Sequence, residues 1–311
     1  MSGSRVTVTG ASGLIGRALV SSLRARGCEL TILSRDPDRA RASLGLDRGG
    51  SPELARWEPA GGPAPAQALS GRDAVLHLAG APVAQRWSAK AKRAIRDSRV
   101  LGTANLIEGL REAEPRPSTL VSSSAIGYYG AHGEEPLDED SPAGEGFLAQ
   151  VCADWEAEAA RASVLGMRVV QVRTGVVLDA GGGALGKMLP PFRLGLGGPV
   201  AGGGQYISWI HTDDVVGVML AALDSESWSG PVNATAPQPV SNREFSLTLG
   251  RLLRRPARAP VPAFAMRLLF GEMSGIITSG ARVVPAKPLV LGYEFLHPTL
   301  EEALRSALAR A

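Results

Sequence analysis

Ser4-Arg5-Val6-Thr7-Val8-Thr9-Gly10-Ala11-Ser12-Gly13-Leu14-Ile15-Gly16 is the stretch whose reading decides the fold. Its first half alternates as a short strand does, and from Leu14 onward a helix opens that ends near Gly27. A glycine turn between a first strand and a helix is the context of a dinucleotide-binding crossover. Gly10 makes the tight turn, Gly13 lets backbone approach a pyrophosphate, and Gly16 lets helix and strand pack closely. The helix N-terminus adds oriented N–H groups and a partial positive charge. Gly10, Ala11, Ser12, Gly13, Leu14, Ile15 and Gly16 are therefore the candidate phosphate cradle, spaced G-x-x-G-x-x-G.

Outward from this turn the pattern repeats. Residues 29–34 read as a strand, 39–44 as helical and 73–79 as another strand. Residues 88–113 hold a long helix or two, with a break expected near Asp97 and Ser98. Residues 118–123 form a strand, 147–165 an amphipathic helix and 168–173 a strand. Such alternation predicts an α/β fold, a doubly wound parallel sheet of Rossmann type with helices on both faces.

After Gly175 the texture changes. Glycine clusters at 181–183, 195–198 and 202–204 punctuate what read as long loops. Helices follow at 213–223 and 242–253, around 266–270, and from Pro298 onward with Thr299 as N-cap. The division expected is a dinucleotide-binding domain over 1–180, rejoined by about 205–235. A smaller C-terminal lobe, from 181–204 and 236–311, would close over the cleft.

With 311 residues, 44% hydrophobic and 20% charged, the chain can bury a full core and has an ordinary soluble composition. No apolar run spans a bilayer, and the first residues lack the apolar region of a signal peptide, so a cytoplasmic protein without membrane attachment is expected. The net charge is +3, but 30 acidic residues are interspersed with the basic ones, which argues against nucleic acid. Two cysteines, Cys28 and Cys152, make neither a disulfide framework nor a metal cluster, so no metal is expected and both read as small core residues.

The end of the second strand chooses between nicotinamide cofactors. An acidic residue there would hold the ribose hydroxyls of NAD. This chain has Ser34-Arg35 instead, a guanidinium and a hydroxyl suited to a 2′-phosphate, so NADP(H) is expected over NAD(H). Asp36 is adjacent, either opposing that phosphate or capping the next helix.

Several stretches together resemble an extended short-chain dehydrogenase/reductase, the class of nucleotide-sugar epimerases. They are residues 10–16, His77-Leu78-Ala79-Gly80, Ser122-Ser123-Ser124 and Ile210-His211-Thr212-Asp213-Asp214. Ser98-Arg99-Val100-Leu101-Gly102-Thr103, residues 124–130, 173–178 and 209–214 narrow the likeness to the atypical "NAD-dependent epimerase" subgroup. That subgroup also carries a short C-terminal domain of unknown function, which residues 282–287 and 292–295 resemble. Some of its members are labelled cell-division inhibitors. The resemblance implies cofactor contacts at Ser34, Arg35, Leu78, Ala79, Gly80, Arg99, Ser122 and Val176.

The family's usual acid/base pair is absent. Its tyrosine needs a lysine four residues on to bring a phenol of pKa near 10 into the working range. Four residues after Tyr128, Tyr129, Tyr206 and Tyr293 stand His132, Gly133, Ile210 and His297. Ser124 matches the serine position, and Tyr128 and Tyr129 are the nearest replacement acids. Gln205, Tyr206, Trp209 and His211 are the candidate substrate-facing groups. Three functions remain open: an NADPH-dependent, epimerase-like oxidoreductase on a small polar substrate, a non-catalytic NADPH-binding sensor or scaffold, and, on the family label alone, a partner-binding regulator of cell division.

Overall fold

The structure is a computed structural model that describes residues 3–46 and 52–310; Met1 and Ser2 of the leading segment, residues 47–51 and Ala311 lie outside the described residues. The chain begins β1 (Arg5–Thr9), α1 (Leu14–Ala25), β2 (Glu29–Ser34), α2 (Pro37–Ser43), β3 (Glu53–Arg56), β4 (Ala74–His77) and α3 (Ala89–Arg111). It continues β5 (Thr119–Ala125), β6 (Pro136–Leu137), α4 (Phe147–Ala160), β7 (Arg168–Thr174), β8 (Val176–Leu178) and α5 (Gly183–Arg193). Next come β9 (Tyr206–Ile207), β10 (Trp209–His211), α6 (Thr212–Asp224), β11 (Gly230–Ala234), β12 (Val240–Ser241) and α7 (Asn242–Leu253). The last elements are α8 (Ala263–Phe270), α9 (Ser274–Thr278), β13 (Arg282–Val283), α10 (Ala286–Val290) and α11 (Leu300–Ala309).

Seven strands make one sheet, in the order β11-β7-β5-β4-β1-β2-β3, and every neighbouring pair is parallel. This is the doubly wound sheet expected from the sequence. The winding reverses between β1 and β4, so a crevice opens there beyond the carboxyl ends of the strands.

The Val-Thr alternation of β1 reads as one dry and one wet face, yet both faces are buried. Val6 and Val8 pack with Leu19 and Leu23 of α1 and Val218 and Met219 of α6. On the other face Thr7 donates to the Ala68 carbonyl at 2.6 Å, and Thr9 meets His77 Nδ1 at 2.8 Å. Each threonine hydroxyl is thereby satisfied in the interior, where an unpaired one would cost about 1–3 kcal/mol. Leu33, Val75 and Leu120 of the sheet meet Leu106, Ile107 and Leu110 of α3. Burial pushes His77 down to about 4, so it stays neutral between Thr9 and Thr103.

Two expectations need correction. The break near Ser98 does not occur: α3 runs unbroken after Ser88, whose hydroxyl accepts from the Ala91 N–H. Ser98 instead fastens α3 to the loop after β4, accepting from the Ala81 N–H at 2.9 Å. The glycines at 181–183 do not begin a long loop but the start of α5, which carries Pro190 and Pro191 in its last turns. Leu185, Leu189 and Phe192 recur at i, i+4 and i+7, and burying that stripe outweighs the propensity of glycine and proline.

A second core joins distant pieces of the chain. Leu178, Leu185, Leu189, Phe192 and Trp209 pack with Phe245 and Leu249 of α7 and with Leu300, Ala303, Leu304 and Ala307 of α11. Thr299 does not cap α11 by accepting a backbone N–H; its hydroxyl donates to Glu302 at 2.7 Å.

The turn itself is packed without slack. A Cβ on Gly16 would stand 2.3 Å from the Gly10 carbonyl oxygen, and on Gly10 it would stand 2.6 Å from the Leu78 carbonyl. Both near neighbours are backbone and cannot yield without moving β1 or β4. Gly16→Ala is expected to lower stability by about 1–3 kcal/mol through this overlap. A urea midpoint that is unchanged in the variant would contradict the packing described.

Candidate functional site

The crevice is floored by Thr9. Its hydroxyl accepts from the N–H groups of both Leu78 and Ala79, each at 3.2 Å, which holds the loop after β4 against the glycine turn. Gly10 has φ +69, a conformation that favours glycine, and Gly13 is the N-cap residue of α1. The first backward bond of α1 runs from the Arg17 N–H to the Gly13 carbonyl. The N–H groups of Leu14, Ile15 and Gly16 therefore point out of the helix end toward the crevice, as an anion cradle requires. Ala11 and Gly16 are buried, Ser12 and Gly13 are exposed, and Leu78, Ala79 and Gly80 line the facing edge. The unbonded N–H groups of the α1 N-terminus, beside the exposed and side-chain-free Gly13, fit a dinucleotide pyrophosphate.

At the end of β2 the ambiguity over Asp36 resolves. Asp36 is the N-cap of α2 and accepts from the Arg39 N–H at 3.0 Å. Ser34 exchanges hydrogen bonds with the Asp36 backbone, at 3.1 and 3.2 Å. The carboxylate is thus committed to the helix end, and Arg35 is exposed with no carboxylate partner among the described residues. A guanidinium so placed suits a phosphate on the adenosine ribose.

Arg99 is half-buried on α3 beneath the same loop. It donates to the Ala81 and Ile95 carbonyls at 3.0 and 3.1 Å, and its guanidinium lies 5.2 Å from the Trp155 ring centre. A Cβ on Gly80 would stand 3.1 Å from that guanidinium. Burial lowers its pKa, and no carboxylate pairs with it among the described residues. Ser122, by contrast, is sealed inside the sheet, where its hydroxyl bonds the Ser123 carbonyl at 3.3 Å; its side chain does not reach the crevice. Val176 is half-buried in β8, beside Trp209 of β10.

The candidate catalytic residues surround a charge that the sequence did not single out. Arg173, at the end of β7, is 3% exposed and grips Glu156 of α4 with Nε at 2.9 Å and an Nη at 2.8 Å. Burial works against the charge of Arg173, and the bonds and charge of Glu156 outweigh it, raising the pKa. Ser124 donates to the same carboxylate at 2.6 Å. Its one proton is therefore turned inward, away from any substrate carbonyl. Tyr129 is fully buried; its hydroxyl meets Arg173, the Asp138 carbonyl and Asn233 at 2.9, 2.8 and 2.7 Å. Burial pushes Tyr129 up to about 12, against the opposing pull of Arg173. The expectation of Ser124 and Tyr129 as proton donors is thus corrected: both are structural members of a buried network.

Tyr128 differs from them. Its ring lies 3.6 Å from the Arg173 guanidinium and edge-on to Tyr129, while its hydroxyl has no hydrogen-bond partner among the described residues. It is half-buried at the mouth of β5 and stands alone of the three as a group able to meet a substrate. Cys152, packed near Gly127, is buried and pushed up to about 12, so it is no nucleophile.

Of the expected substrate groups, three are corrected. Trp209 lies in the second core and donates its Nε1–H to the Gln238 carbonyl at 3.0 Å. His211 is 1% exposed and caps α6, its Nδ1 accepting from the Asp213 N–H. Burial, and then its neighbour His297, push His211 down to about 4, so near neutrality it is uncharged and no imidazolium acid. Asp213 is gripped by Arg310 at 2.6 and 2.7 Å, which leaves the His211–Asp213–His297 group as a cap and an ion pair. The Gln205 side-chain NH2 is spent on the Val200 and Ile277 carbonyls, which fixes the residue between the loop of Val200 and α9. Tyr206 is half-buried, with Arg282 5.6 Å from its ring centre.

The network makes a quantitative prediction. Removing the carboxylate in Glu156→Ala leaves Arg173 buried without a counter-charge and should cost about 3–5 kcal/mol. Ser124→Ala removes one bond to a carboxylate that keeps its arginine, and should cost about 1–2 kcal/mol. Urea denaturation of the two variants gives the ranking, and equal losses would contradict it.

Comparison with known proteins agrees with this geometry. The model of the NAD dependent epimerase/dehydratase family matches residues 6–233, and that of a domain of unknown function, DUF1731, matches residues 261–307. An epimerase family protein of Mycobacterium tuberculosis is 42% identical over 313 residues, covering 100% of this chain and 99% of its own. The chloroplastic SDR39U1 homolog of Arabidopsis thaliana, also an epimerase family protein, is 39% identical over 308 residues, covering 97% of this chain and 86% of its own. The crystal structure of human epimerase family protein SDR39U1 (isoform 2) with NADPH superposes with a TM-score of 0.85 at 34% identity. It covers 99% of this chain and 100% of that one. Glycine turn, reversed winding and matched length together identify the chain as a member of the NAD dependent epimerase/dehydratase family that carries the DUF1731 domain.

Proposed function

We propose that this chain binds NADP(H) in the crevice between β1 and β4 and serves as an epimerase-like oxidoreductase on a small polar substrate. The observation that carries the cofactor is the commitment of Asp36 to the α2 N-terminus, which leaves Arg35 to receive a 2′-phosphate. The human relative solved with NADPH supports the same choice over NAD(H). When bound, the nicotinamide supplies a hydride acceptor or donor; the protein supplies position and a proton. Tyr128 is the group proposed for that proton, since Ser124 and Tyr129 are engaged elsewhere. A cytoplasmic setting is part of the proposal. It is supported by two buried cysteines joined in no disulfide and by the lack, among the described residues, of any helix able to cross a membrane.

One observation favours a second reading, a binding protein without turnover. The serine that would polarise a substrate carbonyl gives its proton to Glu156, and no lysine accompanies Tyr128.

Two measurements test the proposal. Arg35→Ala should weaken NADPH by roughly 10- to 100-fold, the loss of a charge-assisted contact of about 1.5–3 kcal/mol. NADH should be almost unaffected, and equal losses for the two cofactors in calorimetry would overturn the assignment. The second follows NADPH absorbance across a panel of carbonyl compounds and nucleotide sugars. Tyr128→Phe should lower turnover by about 100-fold or more, with NADPH affinity retained. Tight NADPH binding without turnover on any panel member would instead favour the second reading.

A further inference from the structure

α8 is built of apolar residues except for Arg267, yet none of its residues is buried. It packs against α9, with Ala265, Met266 and Phe270 half-buried, while Phe264, Leu268 and Leu269 stand 73%, 75% and 66% exposed. Phe264 and Leu268 lie one turn apart and so share a face of the helix. Leu194 and Leu196 are exposed as well, and they flank Gly195, which lies against Pro256 of the connection between α7 and α8. Apolar surface left this open marks a place where something outside the chain binds.

The charge around α8 is one-sided. From Phe245 to Gly271 the chain holds Arg251, Arg254, Arg255, Arg258 and Arg267 and no aspartate or glutamate. Arg251 pairs with Glu301. The other four are exposed, and no carboxylate pairs with them among the described residues. Arg267 follows Phe264 by three residues on the helix and so borders the same face. Arg254, Arg255 and Arg258 sit at the end of α7 and in the connection that leads to α8. That connection is no free arm. The Val261 N–H bonds the Pro199 carbonyl at 2.8 Å, and the Val261 carbonyl accepts from the Ala201 N–H at 2.9 Å.

We propose that α8 and the connection before it form a docking surface for a bilayer containing anionic phospholipid. Phe264 and Leu268 enter among the acyl chains, and Arg254, Arg255, Arg258 and Arg267 meet the phosphates of the headgroups. Charge complementarity selects this occupant. A second copy of the chain in a two-fold contact would bring the same unpaired arginines face to face. A bilayer needs no matching pocket, only depth for the apolar side chains and phosphates for the guanidinium groups. The expectation of no membrane attachment rested on the lack of a spanning run; a helix of 8 residues is far too short to span and lies in the interface instead. None of these residues belongs to the site described above, so the surface is independent of the cofactor. It falls on α7's end and the start of the DUF1731 segment, which thereby gains a role in placing the protein.

The test is co-sedimentation of the whole chain with two kinds of vesicle, phosphatidylcholine alone and phosphatidylcholine with about one part in three of phosphatidylglycerol. The chain is expected to partition about 10-fold more strongly, or better, onto the anionic vesicles, and added salt should weaken that binding. Arg254→Gln, Arg255→Gln and Arg258→Gln combined should lower it by about 10-fold, toward the neutral level. Phe264→Ser with Leu268→Ser should lower it by about as much with every arginine in place. All these positions are exposed, and thermal unfolding followed by circular dichroism shows whether each variant is folded. Equal partition onto both vesicles, no partition onto either, or full binding in either folded variant would each overturn the proposal. So would a dimer in sedimentation velocity that Phe264→Ser with Leu268→Ser dissociates, since the face would then belong to a second copy.

Discussion

The buried ion pair between Arg173 and Glu156 governs the interior of the site. A guanidinium that is 3% exposed must find a counter-charge and acceptors inside the protein, because water cannot supply them. Glu156 of α4 provides the charge, and Tyr129 and the Glu139 carbonyl accept from its Nη1. The hydroxyls of Ser124 and Tyr129 are drawn into that arrangement. The pair thereby fixes the end of β5 and α4 relative to β7, and it does so by consuming groups that would otherwise face a substrate. Tyr128 escapes because it meets Arg173 through its ring face, which leaves its hydroxyl uncommitted.

Much of the fold was legible because it rests on local patterns. The run from Arg5 to Gly16 names a strand, a turn and a helix through alternation and glycine spacing, and both are properties of neighbouring residues. Asp36 was legible only as an ambiguity, because a carboxylate beside Arg35 opposes a phosphate or caps a helix according to where its oxygens point. α5 was missed since its glycines and prolines argue locally for a loop, while its stripe of Leu185, Leu189 and Phe192 is rewarded only by α7 and α11 far along the chain.

The site was less legible than the fold for the same reason. Glu156 and Arg173 lie 17 residues apart and meet only when α4 crosses the sheet. Nothing in their spacing announces a pair. Trp209 read as a substrate-facing group, yet strand alternation puts it in the second core, and its polar edge is met by Gln238 29 residues away. A polar residue near a candidate site is ambiguous in sequence, because the same hydrogen-bonding capacity serves structure and chemistry. Gln205, His211 and Ser124 all proved to serve structure.

The second core also has a temporal side. Leu178, Leu185, Leu189 and Trp209 are made long before Leu300, Ala303, Leu304 and Ala307, which cover them. Arg310, beyond that helix, supplies the grip on Asp213 at the head of α6. During synthesis the sheet can therefore assemble while the lobe beside it still lacks its lid. An apolar surface stays open to the surrounding medium until α11 has emerged from the ribosome. Docking of α11 is the step that covers this surface, and the speed at which it docks sets how long a growing chain is at risk of aggregation.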